Sequence, residues 1–212
     1  MNLNVNSPVL NKQFRKNFIF GIIGDNGTGK SVTTREIVKR WKDKRPNGIV
    51  AGFDPSGVIE DYIDIPVTPD NWLDKALKLR NALLVLDETR LLHPSPQTDK
   101  RLSELLQRRR HWNVDIIYIV HNPGVILESL TYFTTHYYIF YTQSRKDKFK
   151  AKVPNYLMLQ NASVLINKYV KMEGRGEYPY FPHLIIDTEQ NKIKAVNISS
   201  DKLTKAIRIQ QH

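Results

Sequence analysis

Short apolar runs bounded by turn residues alternate with longer amphipathic stretches between residues 18 and 143. Phe18-Ile19-Phe20-Gly21-Ile22-Ile23 carries no polar residue on either face, which is the pattern of a strand buried on both sides. Gly48–Phe53, Asn81–Leu86, Val114–Val120 and the aromatic-rich His136–Thr142 repeat that signal. Helices are predicted between them. Lys30–Lys44 places Val32, Ile37, Val38 and Trp41 mostly on one side, and Arg45-Pro46-Asn47-Gly48 stops it. Pro69–Arg80 turns Trp72, Leu73, Ala76 and Leu77 inward, and Thr98–His111 does the same with Leu102, Leu105 and Leu106. Strand and helix in alternation imply βαβ units, hence an α/β fold with a mostly parallel central sheet flanked by helices. Tyr132, Phe133, Tyr137, Tyr138 and Phe140 are expected in the core and sheet.

Outside that stretch the pattern changes. Residues 1–16 read as an N-terminal arm, 17–143 as the core, and 144–212 as a C-terminal extension of the same domain. Within the extension a helix is expected over Tyr156–Val170 and a loop over Gly174–Pro182. A hairpin is expected to pair His183–Asp187 with Lys192–Ile198, followed by a short terminal helix.

A chain of 212 residues that is 41% hydrophobic can bury one sizeable core. With no cysteine, a disulfide scaffold, a thiolate zinc site and a cysteine nucleophile are excluded. His93, His111, His121, His136, His183 and His212 show no metal-ligand spacing. The formal charge of +11 suits a polyanionic partner, nucleic acid or an anionic membrane, and equally a soluble protein that is simply basic; residues 49–100 are net acidic. No apolar run approaches the ~20 residues of a membrane span, and no signal-peptide layout opens the chain, so a cytoplasmic location is expected.

The chemistry begins after the first strand. Gly24-Asp25-Asn26-Gly27-Thr28-Gly29-Lys30-Ser31 satisfies G-x-x-x-x-G-K-[ST] in full, with Val32 following. Gly27 and Gly29 let backbone amides approach a phosphate without a Cβ in the way. The helix that follows offers its N-terminal N–H groups to the same anion. Lys30 would reach the β- and γ-phosphates of ATP, and the Ser31 hydroxyl would ligate Mg²⁺. Leu83-Leu84-Val85-Leu86-Asp87-Glu88 then sets two carboxylates at a strand end. Asp87 suits Mg²⁺, and Glu88 suits a base that polarises water for attack on the γ-phosphate. Tandem acids favour hydrolysis over transfer to a small substrate.

Arg108-Arg109-Arg110 closes the third helix, and the next strand ends in His121-Asn122-Pro123. The arginines suit a helix C-terminus. They could equally serve as an arginine finger at a neighbouring subunit's nucleotide, or contact DNA phosphates. A polar residue at the strand end could sense the γ-phosphate.

These features in order resemble the FtsK–HerA superfamily of P-loop DNA pumps: the phosphate loop, Phe53-Asp54-Pro55, the strand ending in Asp87-Glu88, and the stretch from Arg110 to Pro123. The nearest likeness is to genome-packaging ATPases of tailless membrane-containing viruses, with Zot-like ATPases as relatives. The resemblance covers residues 17–143. It implies a P-loop NTPase (RecA/FtsK-like) fold and a hexameric ring that hydrolyses ATP with Mg²⁺ to translocate DNA. The implied partners are the viral genome, further copies of the chain and a capsid or packaging-vertex protein. The implied location is the host cytoplasm or a virion vertex. In that family the arginine corresponds to Arg110 and the sensor is usually glutamine, where this chain has His121. A Zot-like extrusion ATPase and a small nucleoside or nucleotide kinase are the alternative functions.

Two further segments carry candidate chemistry. Lys146, Lys148, Lys150 and Lys152, if extended, would present one cationic face to phosphates, and equally they could form a solvated basic loop. Arg175-Gly176-Glu177-Tyr178-Pro179-Tyr180-Phe181-Pro182 could stack on bases, dock a capsid protein or pack as a surface loop.

Overall fold

Ile19–Ile23 forms β1, buried along its whole length because parallel neighbours flank it on both sides. A computed structural model of the chain describes residues 17–87, 96–121, 126, 128–143, 156–177 and 180–208, and the structural statements here concern those residues. The proposed arm 1–16, Glu88, Asn122, the lysines at 146–152, Tyr178 and Pro179 lie outside them.

The described elements run β1, α1 (Lys30–Lys44), β2 (Ile49–Phe53), a 3₁₀ turn (Glu60–Tyr62), β3 (Ile65–Pro66), α2 (Trp72–Ala76), β4 (Ala82–Leu86) and α3 (Pro96–Trp112). They continue with β5 (Val114–Val120), α4 (Glu128–Phe133), β6 (His136–Ile139), α5 (Tyr156–Glu173), β7 (His183–Asp187), β8 (Lys192–Val196) and α6 (Ser200–Arg208). The eight strands form one sheet in the order β3-β2-β4-β5-β1-β6-β7-β8. The first six in that order pair in parallel, while β6–β7 and β7–β8 are antiparallel. The hairpin of the C-terminal extension therefore continues the sheet edge beside β6 rather than forming a separate layer.

Alternation along β1 sends side chains to two cores. Phe18, Phe20 and Ile22 face Ile37, Val38 and Trp41 of α1, together with Leu83, Val85, Ile117, Ile119, Tyr138 and Phe140. Ile19 and Ile23 face the opposite core, filled by Trp72, Leu102, Leu105, Leu106, Leu130, Leu159, Ile166 and Leu203 from the remaining helices. The result is three layers, with α1 alone among the described α-helices on the first face.

Two expectations are corrected. The helix foreseen over Pro69–Arg80 is helical only at Trp72–Ala76. Asn71 Oδ1 accepts from Thr68 N at 2.9 Å, which holds the entry as a turn. Lys78 N and Leu79 N bond to the carbonyls three residues back, which tightens the exit. Tyr132 is not in the core but 58% exposed, because residues 128–133 form a helix in which Leu130 points inward and Tyr132 outward. That six-residue helix is too short to show a period in the sequence.

One buried ion anchors the layers. Asp115 at the start of β5 is fully buried. Its Oδ1 accepts from Phe18 N at 2.8 Å and its Oδ2 from Trp41 Nε1 at 2.8 Å and from Arg45 Nη1. The side chain thus ties the entry of β1 and the end of α1 to β5. Burial pushes the Asp115 carboxyl up, and the bonds from Trp41, Arg45 and Phe18 oppose that. Asp115→Ala would leave three donors without their acceptor and should destabilise the fold by about 3 kcal/mol, as read by denaturant unfolding.

Candidate nucleotide site

The segment after β1 is held from both flanking strands. Gly24 N donates to Val120 O at the end of β5 (3.2 Å), and Asp25 N to Tyr141 O just beyond β6 (2.8 Å). Asp25 Oδ2 accepts from Gln143 N at 2.9 Å, and Thr28 Oγ1 donates to Asp25 O at 2.7 Å. Gly24, Asp25 and Thr28 therefore build the loop. Asn26, Gly27, Gly29, Lys30, Ser31 and Val32 line a cleft of about 530 Å³ above it. Gly29 is the N-cap of α1 at φ 95°, a conformation suited to glycine. No side chain caps α1 and no acid stands in its first turn, so its positive end faces the cleft.

The Lys30 ammonium is held low in the loop, donating to Asp25 O at 2.8 Å and to His121 Nδ1 at 3.3 Å. An ammonium only donates, so Nδ1 is the acceptor in this pair. β5 lies between β1 and β4 in the sheet, which is why the residue ending β5 falls between the loop and the acid ending β4. That acid, Asp87, lines the cleft with Ser31, Pro55, Ser56 and His121. Ser56 Oγ lies 2.6 Å from Asp54 Oδ1 and 3.2 Å from Asp87 Oδ2, so the turn after β2 reaches the carboxylate. The Ser31 hydroxyl, the Asp87 carboxylate and the phosphates of a bound nucleotide are the oxygen donors that magnesium takes, so the residues present fit the ion.

The arginine cluster divides into different environments. Arg109 is buried, with Nη1 donating to Leu106 O at 3.0 Å and its guanidinium 5.7 Å from the Phe133 ring. Burial, aided by Arg110, lowers it to about 10. Arg108 pairs with Glu104 at 3.0 Å. Arg110 is exposed and has no side-chain partner among the described residues. All three stand before β5, whereas His121 follows it, and seven strand residues separate the two ends by roughly 20 Å. No arginine of this cluster touches the cleft of its own chain.

Sequence reading missed Ser56 and underweighted Phe181. Ser56 carries no local signal of a place in the cleft. Phe181, from the loop before β7, packs its ring on Gly29 so closely that a Cβ there would run into it, and it lines the cleft. Only the pairing of β7 with β6 brings that loop to the phosphate loop, and no local signal encodes it.

The fold is that of P-loop ATPases. The genome packaging NTPase B204 from Sulfolobus turreted icosahedral virus 2, in complex with ATP-gammaS, aligns at TM-score 0.56 and 15% identity over 85% of this chain and 96% of its own. The N-terminal domain of zonular occludens toxin from Neisseria meningitidis aligns at 0.51 and 10%, over 90% and 98%. The cytoplasmic domain of the type VII secretion ATPase EccC from Thermomonospora curvata aligns at 0.57 and 13%, over 87% of this chain but 24% of its own. These neighbours include both kinds of protein that the motif order resembles. No protein-family model matches the sequence, and no curated protein does.

A buried histidine sits beneath the site. His183 stacks on Phe140 at 4.6 Å and its Nδ1 donates to Phe181 O at 3.1 Å, while burial lowers its pKa from 6.5 to about 4. The unfolded chain binds the proton first as pH falls, so the stability from the neutral ring is complete above about 6.5 and is lost toward 4. Denaturant melts across this window should show a steeper acid decline for the wild type than for His183→Phe. The difference in slope should reach up to about 1.4 kcal/mol per pH unit.

Proposed function

We propose that the chain is an ATPase that translocates DNA to package a viral genome, working as a ring of identical subunits, six in our reading. The observation that carries the ATPase reading is the convergence of Lys30, Ser31, His121 and Asp87 on one cleft at the same ends of β1, β5 and β4. In this reading residues 17–143 form the ATPase core and 144–212 an extension of the same domain.

Asn26, Gly27, Gly29 and Val32 surround the phosphates, and Lys30 leaves the Asp25 carbonyl to bind the β- and γ-phosphoryl oxygens. Magnesium, held by Ser31 and Asp87, would neutralise charge on those oxygens. Glu88 takes a proton from water as the water oxygen bonds to the γ-phosphorus and the bond to the β–γ bridging oxygen breaks, releasing ADP and phosphate. His121, already bonded to Lys30, registers whether the γ-phosphate is present. Arg110, remote from its own cleft and exposed, reaches the cleft of the adjacent subunit. Movement of DNA then follows from hydrolysis that needs two subunits at each site.

The DNA and capsid partners rest on the motif order and on the kind of proteins that share the fold, together with the net charge of +11. Among the described residues no helix is long and apolar enough to cross a membrane. Location in the host cytoplasm or at a virion vertex belongs to the same proposal.

Lys30→Ala should remove nucleotide binding. Glu88→Gln should retain ATP while turnover falls at least about a hundredfold. Wild-type turnover should rise with DNA; stimulation by free nucleosides instead would favour a kinase. Mixing Arg110→Ala with Glu88→Gln subunits, each inactive alone, should restore part of the turnover. No recovery would remove Arg110 from the shared site.

A further inference from the structure

Phe181 lies across the phosphate loop from the acids. The sheet order places β4 and β2, which deliver Asp87, Pro55 and Ser56, to one side of β1. It places β7, which Phe181 precedes, to the other side. Each group starts about 10 Å from β1, two strand spacings away. A nucleotide whose γ-phosphate sits beside Asp87 and Lys30 and whose chain crosses the phosphate loop brings its nucleoside to Phe181.

The ring is fixed rather than hanging from a free loop. The Phe181 carbonyl accepts from His183 Nδ1 and from Asn197 Nδ2, each at 3.1 Å. Gly176, at φ 74°, sits so close under the Tyr180 carbonyl and Pro182 that an added Cβ would fall 2.5 Å from that oxygen and 2.8 Å from Pro182 Cδ, which would open the loop. The Arg175 guanidinium lies 4.9 Å from the Tyr141 ring, and the Tyr141 carbonyl holds Asp25 N. Phe181 thus touches the phosphate loop at Gly29, and Arg175 reaches Asp25 only by way of Tyr141. Phe181 is partly buried and keeps its exposed part toward the cleft.

We propose that Phe181 is the platform on which the nucleobase lies, and that the site takes purine nucleoside triphosphates, GTP as well as ATP. The assignment rests on the nucleotide-site reading above and extends it to specificity. A phenyl face holds a base by stacking and area, which every base offers and which larger purine faces exploit better. Discrimination between adenine and guanine needs donors and acceptors at the base edge, which a phenyl ring lacks.

The test is calorimetric binding, with magnesium, of ATP-gammaS, GTP-gammaS, CTP and inorganic tripolyphosphate to the full chain. Wild type should bind the two purine nucleotides within a few-fold of each other and more tightly than CTP, with tripolyphosphate weaker still. Phe181→Ala should weaken both purine nucleotides by at least about fivefold and leave tripolyphosphate unchanged. Phe181→Leu, which keeps an apolar side chain on Gly29, should behave like alanine, and Phe181→Trp should restore binding. Thermal melts verify that each variant is folded. Equal losses for tripolyphosphate and ATP-gammaS would make Phe181 a prop for Gly29 and overturn the platform. Unchanged ATP-gammaS binding in Phe181→Ala, or a strong wild-type preference for ATP-gammaS over GTP-gammaS, would overturn it as well. Wild type that binds tripolyphosphate no less tightly than ATP-gammaS would refute the platform while leaving the phosphate loop intact. Failure of both to bind would remove the nucleotide-site reading itself.

Discussion

The burial of β1 between β5 and β6 is the constraint on which the site depends. Parallel pairing on both sides leaves β1 no room to slide, and its register with β5 and β6 sets where the following backbone emerges. Gly24 and Asp25 are then fixed by carbonyls at the ends of those same two strands. The amides of the loop are oriented before any ligand arrives, so little ordering entropy is lost when a phosphate binds. The insertion of β5 between β1 and β4 completes the arrangement, because it sets His121 between a cation and an acid that are far apart in sequence.

The helix leading away from the loop is pinned at its far end too. Trp41 and Arg45 both donate to Asp115, whose other oxygen receives Phe18 N. A buried carboxylate with three donors from two chain segments costs desolvation, and good geometry offsets that cost. It also fixes the angle at which α1 crosses the sheet, and with it the aim of the helix N-terminus. Arg109, a few residues before Asp115, is used for packing under Phe133, while Arg110 next to it faces solvent. Adjacent residues of one basic cluster thus do different work, because a helix turns each by about 100° from the last.

The C-terminal extension is more than an edge of the sheet. Antiparallel addition of β7 and β8 beside β6 carries the loop before β7 over the phosphate loop, where Phe181 covers Gly29 and His183 packs under it against Phe140. The segment that the motif order leaves uncovered therefore shapes the cleft that the motifs define.

Local features were legible in the chain because local physics fixes them. Glycines at Gly27 and Gly29 ahead of Lys30-Ser31 specify a loop and a helix start, and the helix Lys30–Lys44 and strand Val114–Val120 match their patterns residue for residue. The hairpin of β7 and β8 is legible as two short runs either side of a turn. Helix length at 69–80 was overread, since a five-residue helix closed by turns carries the same apolar spacing as a longer one. The meeting of Phe181 with Gly29, and of Asp115 with Trp41, came from strand order alone. Sequence periodicity tells each strand which faces to bury but not which neighbour to take, and that choice is made only when the long-range pairs form together.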